Sequence, residues 1–409
     1  MDQAAPDRVA ALDLIRGVAV LGILAINIAG FAGPAITALS PGAILPATPA
    51  DEAAFAFAFL FFEGKMRALF SLLFGASMML FIESAEAQGR DGDILQFRRL
   101  CWLMVFGQLH YLLFWWGDIL FSYAACGIVA LLLRRMAVGG MITLALAIFT
   151  GTHMWAAFTG WPAVVAEEAV RLGAASAGQA RAHADMLAPA FRFANTELAR
   201  YGADFGTIAL AKLRERPFWL FEMTAQNLGE TLPLMLIGMA LYRTGFFAGR
   251  WPAHAIRAAA IGAGTLGLGA TLAVLAWMWP RHFPIIAMGQ AMLSFLAFPH
   301  LLMAFAYAAL LVIAAPRLCA SPPGRWLAAA GAMALSNYIA ASAVMTAIFY
   351  GWGLGLFGTV GAAGQWAFVL AGWALMLTAS AAWLARYRYG PLEWLWRSLT
   401  MGHILSNRR

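Results

Sequence analysis

Ten stretches of this 409-residue chain are apolar for close to the length of a membrane crossing: about 17–39, 53–82, 100–116, 118–133, 138–160, 218–242, 257–279, 284–314, 326–350 and 364–385. A spanning helix needs about 20 mainly apolar residues, so the pattern predicts an all-α, polytopic transmembrane bundle of about ten spans. Composition agrees. The chain is 62% hydrophobic and 11% charged, where soluble domains hold about 45–50% and about 25%. The net charge of +7 then reports topology, and no nucleic-acid partner is expected.

With the N-terminus placed in the cytoplasm, seventeen arginines fall in inner segments, from Arg8 and Arg16 to Arg408 and Arg409, and Arg281 alone falls in a short outer one. That asymmetry predicts both termini inside. Residues 161–217 form an Ala-rich outer loop expected to hold two or three surface helices. The chain thus divides into a five-span half (1–160), an extracytoplasmic helical loop (161–217) and a second five-span half (218–409). No motif repeats between the halves. After Gly390-Pro391, LEWLWRSLTMG puts Leu392, Leu395, Trp396 and Leu399 on one face, as in a helix lying in the membrane interface. The first apolar run has spanning length, so a cleavable signal peptide is not expected. Cys101, Cys126 and Cys319 lack paired spacing, and neither a disulfide nor a metal site is expected. P-loop, GxSxG, HExxH and CxxCH signatures are absent.

Function is sought in polar groups placed where hydrocarbon should be. At about 1.5 Å of rise per residue, Asn27, Lys65, His110, His300 and Asn337 each lie about 15–24 Å from one face of a core about 30 Å thick. Five helices therefore bring a polar group to one level, and the expectation is a shared, enclosed chamber. The second span is the costliest: FLFFEGKMRALFSLLFG holds Glu63, Lys65 and Arg67, each lone charge costing about 2.5–3.5 kcal/mol at the centre. Gly64 suggests a break there, and Glu63–Arg67 has the spacing of an i,i+4 ion pair. Lys65 is one of only two lysines in the chain.

In GQLHYLLFWWGDILFSYAACG, a buried His110 either packs or takes a proton. Eight residues separate it from Asp118, about 12 Å in a continuous helix; a turn at Gly117 would shorten this, and Asp118 could instead cap the fourth span. Arg16, beside Asp13 at the cytoplasmic mouth of the first span, either pairs locally or meets phosphate. His153, His282, Gln226, Asn227 and Glu230 lie toward the outer side.

Six stretches together resemble the YeiB-like family of bacterial inner-membrane proteins: LDLIRGVAVLGILAINI (12–28), EGKMRALFSLLFGASM (63–78), RRLCWLMVFGQLHYLLFWWGDILFSYA (98–124), LPLMLIGMALYRTGFF (232–247), GAMALSNYIAASAVMTAIFYGWGLGLFG (331–358) and RYRYGPLEWLWRSLTMG (386–402). The resemblance implies a multi-pass protein of the bacterial inner membrane with no assigned reaction. The Arg-Gly opening of the first span is also similar to membrane acyltransferases that modify sugars, including the heparan glucosaminide acetyltransferase type, although the histidine of that type does not map onto His110.

Two functions follow as expectations. In an acyltransferase, an acyl-CoA donor enters by Arg16, and His110 with Asp118 handles the acceptor proton. Lys65, Arg67, Asn27 and Asn337 bind the donor or stabilise developing charge, and with Arg16 and Glu63 they form the expected binding set for a small-molecule or lipid-linked substrate. In a transporter or ligand-binding carrier, the same polar layer is a midplane site. Beyond the bilayer, no partner is specified.

Overall fold

The computed structural model describes the backbone of residues 4–409 and side chains from Ala11 onward, so Arg8 lies outside the described side chains. Every expected stretch is helical, but the helices are less uniform than ten plain spans. The first is α1 (Ala4–Ala32). The second is split into α2 (Pro49–Phe61) and α3 (Lys65–Glu86). Then come α4 (Gly92–Leu113), α5 (Leu120–Leu133) and α6 (Val138–Arg171), the last continuing well past its expected end. The 161–217 region supplies α7 (Ala177–Tyr201) and α8 (Phe205–Glu215).

The second half begins with α9 (Trp219–Arg243) and α10 (Ala253–Met278). α11 (Ile285–Gln290) passes through a π turn at Ala291–Phe295 into α12 (Ala297–Ala320). α13 (Pro322–Ala332) and α14 (Ala334–Phe349) meet at 81°. α15 (Ala362–Leu384) and the surface helix α16 (Pro391–Met401) complete the chain. Among the described residues six segments are long and apolar enough to cross a membrane, α2 and α3 together (Pro49–Glu86) making one of them, and the bent α13–α14 pair gives a seventh if taken as one span. The shorter pieces rely on packing within the bundle.

Starts and stops follow local chemistry. Thr48 and Asp51 form a capping box ahead of α2, with Pro49 at its first position. The Asp91 carboxylate accepts from Ile94 N at 3.0 Å to open α4. The halves interleave: α1 packs on α13, and α3 packs on α9, where Gly75 and Gly238 let the backbones touch. A Cβ at either glycine would overlap a carbonyl of the facing helix, the close approach on which helix association in lipid depends. α1 is central, whereas α6, α10 and α15 turn most of their surface outward.

Most arginines gather at one end of the bundle, called here the basic end. At the far end, α7 and α8 dock over the helix tips. Glu197 is 1% exposed and accepts from Ala35 N at 3.0 Å. Tyr201 stacks on Tyr350 at 4.4 Å, and its carbonyl accepts from Gly351 N at 2.7 Å. Lys212 donates to the carbonyls of Tyr111 at 2.9 Å and Phe114 at 3.0 Å, closing the C-terminal end of α4.

Burial pushes the Glu197 carboxyl up to about 7 from 4.5, and the Lys212 ammonium down to about 7 from 10.5. Between pH 4.5 and 7 the docked state holds the extra proton on Glu197, so docking weakens as pH rises. Between pH 7 and 10.5 the undocked state holds the extra proton on Lys212, so docking strengthens as pH rises. Amide exchange of residues 177–215 should therefore be fastest, after correction for the intrinsic rate, near pH 7. Glu197→Gln should flatten the acid limb alone.

Candidate functional site

A cavity of about 480 Å³ opens at the basic end and runs inward between α1, α3, α4, α5 and α14. Four arginines, Arg16, Arg99, Arg388 and Arg397, line its mouth against two carboxylates, Asp13 and Glu393. Both acids are already engaged. Asp13 accepts from Arg16 at 2.5 Å, and Arg16 also donates to Ser77 Oγ at 2.9 Å. Glu393 accepts from Ser336 N at 3.0 Å and Ser336 Oγ at 2.5 Å, near the start of α14. Arg99, Arg388 and Arg397 have no carboxylate partner among the described residues. The Arg99 guanidinium is held instead between two rings, 4.6 Å from Phe81 and 4.1 Å from Trp396. Trp396 also donates to the Arg99 carbonyl at 2.8 Å, which fixes α16 across the mouth.

Beyond the arginines the walls are apolar, with Phe70, Leu73, Phe74, Leu103 and Leu120, and the inner end carries two phenols, Tyr123 and Tyr338. Tyr123 OH meets Ser71 Oγ at 2.9 Å and donates to the Arg67 carbonyl at 3.2 Å. A cationic mouth leading to an apolar throat suits an anion with a hydrocarbon tail.

Behind Tyr338 lies a buried pair. His110 Nδ1 and Asp118 Oδ2 are 2.8 Å apart, and both side chains are fully buried. α4 ends at Leu113, and the chain turns back through residues 114–119, so the 12 Å of a continuous helix does not apply. Gly107, one turn before His110, leaves room for the Asp118 carboxylate and Phe121 N. Asp118 also caps α5, its Oδ1 accepting from Phe121 N at 2.8 Å. The two roles open to Asp118 are thus compatible. A carboxylate only accepts, so Nδ1 of the neutral ring carries the proton and the lone pair sits on Nε2, which has no partner. The Tyr338 ring lies 5.0 Å from the imidazole. Its hydroxyl accepts from Ile119 N at 3.3 Å and donates to the Gly117 carbonyl at 3.4 Å.

The second span is broken at Gly64, whose φ of 72° ends α2 and starts α3. The imidazole of His300 packs against it where any side chain would collide. Lys65, wholly buried, donates to the Phe59 carbonyl at 2.6 Å and so caps α2 from below. The expected Glu63–Arg67 pair does not form. With Gly64 out of helical conformation, the two residues are not one turn apart. Arg67 instead grips both carboxylate oxygens of Glu230 on α9, at 3.0 and 3.2 Å. The Glu63 carboxylate is left without an ion pair or hydrogen bond among the described residues, and Glu63 lines a smaller pocket at the far end.

The remaining polar residues are elsewhere. Asn337 donates to the Ala330 carbonyl at 3.0 Å and Ser380 Oγ at 2.9 Å, stitching the α13–α14 bend to α15. Asn27 is half-buried on α1. His153 Nδ1 lies 2.8 Å from the Leu293 carbonyl at the π turn. The groups expected at one level thus occupy separate settings, not one chamber. Sequence pattern alone does not mark the unpaired Arg99, the Arg67–Glu230 contact or the Tyr338 wall as site features. For Arg99 a signal exists in its place beside the surface helix; for the other two it lies in helices distant in sequence.

Arg67→Ala should destabilise the protein by about 2–4 kcal/mol, between the values for exposed and buried pairs, because Glu230 loses its counter-charge. Adding Glu230→Gln should restore most of that loss. Thermal unfolding of the purified single and double variants reads both.

The family described as "Protein of unknown function (DUF418)" matches residues 241–403. "Uncharacterized protein YeiB" of Escherichia coli (strain K12) is 30% identical over 414 residues, covering 97% of each chain. "Uncharacterized protein YxaH" of Bacillus subtilis (strain 168) is 28% identical over 412 residues, covering 96% of this chain and 94% of its own. No solved structure matches. Similar over nearly its whole length to the Escherichia coli protein, the chain belongs to the YeiB-like family.

Proposed function

We propose that this protein is a membrane acyltransferase whose donor is an acyl thioester of coenzyme A. The observation that carries the reading is the cavity: unpaired guanidinium groups at its mouth, an apolar throat, and His110–Asp118 directly behind its inner wall. In this reading the basic end faces the cytoplasm of a bacterial cell, as the arginine asymmetry requires, and the bilayer is the inner membrane.

The chemistry follows from the groups present. Arg16, Arg99 and Arg397 hold the donor phosphates, and the throat takes the acyl chain. An acceptor hydroxyl or amine attacks the thioester carbonyl; the new C–O or C–N bond forms and the C–S bond breaks. His110 Nε2 takes the acceptor proton and returns it to the departing thiolate. Asp118 fixes the ring and stabilises the imidazolium. Tyr338 must swing aside for the ring to meet substrate. Lys65, Arg67 and Asn337 are committed to protein oxygens and act as structural supports.

The breaks at Gly64, Ala291–Phe295 and Met333, with pockets at both ends, favour a second reading as a carrier. Reconstituted protein supplied with acyl-CoA and a mixture of hydroxyl and amine acceptors should release free thiol. His110→Ala should slow release by about 10²–10⁴-fold, and Arg99→Gln should raise KM more than it lowers kcat. Thiol release unchanged by His110→Ala removes the dyad from the mechanism. Solute flux without thiol release, lost on Tyr338→Ala, decides for the carrier.

A further inference from the structure

The cations of the broken second span are all accounted for, and its acid is not. Lys65 donates to the Phe59 carbonyl and Arg67 pairs with Glu230, and neither forms an ion pair with Glu63 among the described residues. Glu63 is the only charged residue lining a pocket of about 80 Å³ between α1, α2, α15 and the far-end loop 33–45. The other polar side chains there are Thr37, whose hydroxyl donates to the Pro34 carbonyl at 2.8 Å, and Gln365, whose amide nitrogen donates to the Val360 carbonyl at 3.1 Å. One Gln365 N–H and the Trp366 indole N–H remain as donors, beside two acceptors, the Glu63 carboxylate and the Gln365 carbonyl. The aromatic rings of Phe55, Phe59 and Trp366 make up much of the remaining wall.

We infer that this pocket binds an organic ammonium head group. The Glu63 carboxylate supplies the counter-charge, and the rings of Phe55 and Trp366 attract a cation through their faces, that of Phe59 already lying 5.4 Å from Lys65 Nζ. Rings also favour a weakly hydrated ammonium over a hydrated alkali ion, which would need a shell of oxygens. At about 80 Å³ against about 480 Å³ for the basic-end cavity, the pocket takes a head group and not a whole amphiphile. The two cavities share no lining residue, so ammonium binding stands or falls apart from acyl transfer.

The full chain in nanodiscs should be titrated by calorimetry with choline, with ethanolamine, and with 3,3-dimethylbutan-1-ol, the neutral isostere of choline, at constant sodium chloride. At least one ammonium compound should bind, with the neutral isostere at least tenfold weaker. Glu63→Gln should lower affinity at least tenfold and Trp366→Leu severalfold, while Arg99→Gln leaves binding unchanged. Equal binding of the isostere, no effect of Glu63→Gln, or no binding of either ammonium compound overturns the inference, as does competition by sodium in the same concentration range. Should Glu63→Gln fail to fold, the ammonium-to-isostere ratio in the unaltered protein and in Trp366→Leu decides between binding and its absence.

Discussion

A lysine ammonium seated on the open carbonyls of a helix end is the contact on which this architecture rests. A helix that stops within a bilayer exposes carbonyls that no water can reach, and each costs several kcal/mol if left bare. α2 stops at Phe61. Lys65 takes the Phe59 carbonyl from below, and Tyr307 OH on α12 takes the Phe61 carbonyl at 3.1 Å. The same device recurs at the end of α4, where Lys212 takes two carbonyls. Both lysines of the chain are spent this way. The arginines are not interchangeable with them: an ammonium is a compact charge whose three donors suit converging carbonyls, whereas a guanidinium fork suits a carboxylate, a phosphate or a ring face.

Those two closures set the rest. Because Lys65 is held by α2, Arg67 is free to reach α9, which locks α3 to the second half. Because Lys212 holds the end of α4, the following turn can fold back and bring Asp118 to His110. The docked α7–α8 segment is thereby part of the dyad's scaffold, although it touches neither residue. The basic-end cavity is left lined by four guanidinium groups against two carboxylates, Asp13 held by Arg16 and Glu393 by Ser336, an excess of positive charge suited to an anion.

Local rules read the sequence well where the helix is continuous and poorly where it breaks. Each long apolar run coincides with helix, the Ala-rich 161–217 loop holds α7 and α8, and the amphipathic pattern of LEWLWRSLTMG locates α16. The i,i+4 rule fails at Glu63–Arg67 because Gly64 adopts a positive φ, which makes spacing along the chain a poor guide to spacing in space. A continuous helix would set His110 and Asp118 about 12 Å apart; the turn that the sequence offers as the alternative is present, α4 ending at Leu113. Depth along the chain singles out polar residues within apolar runs but does not say which way they face. Asn337 satisfies a bend, Lys65 a helix end, and His300 the surface of a glycine. Partners such as Glu230 and Tyr338 come from spans distant in sequence, beyond the reach of periodicity.

The seating of Trp396 has a mechanical corollary. One indole both hydrogen-bonds the backbone of α4 and stacks on the guanidinium that greets whatever enters from the arginine-rich side. The surface helix α16 is thereby wired to the mouth of the cavity, so that a displacement of that helix and a movement of the Arg99 guanidinium share a single joint.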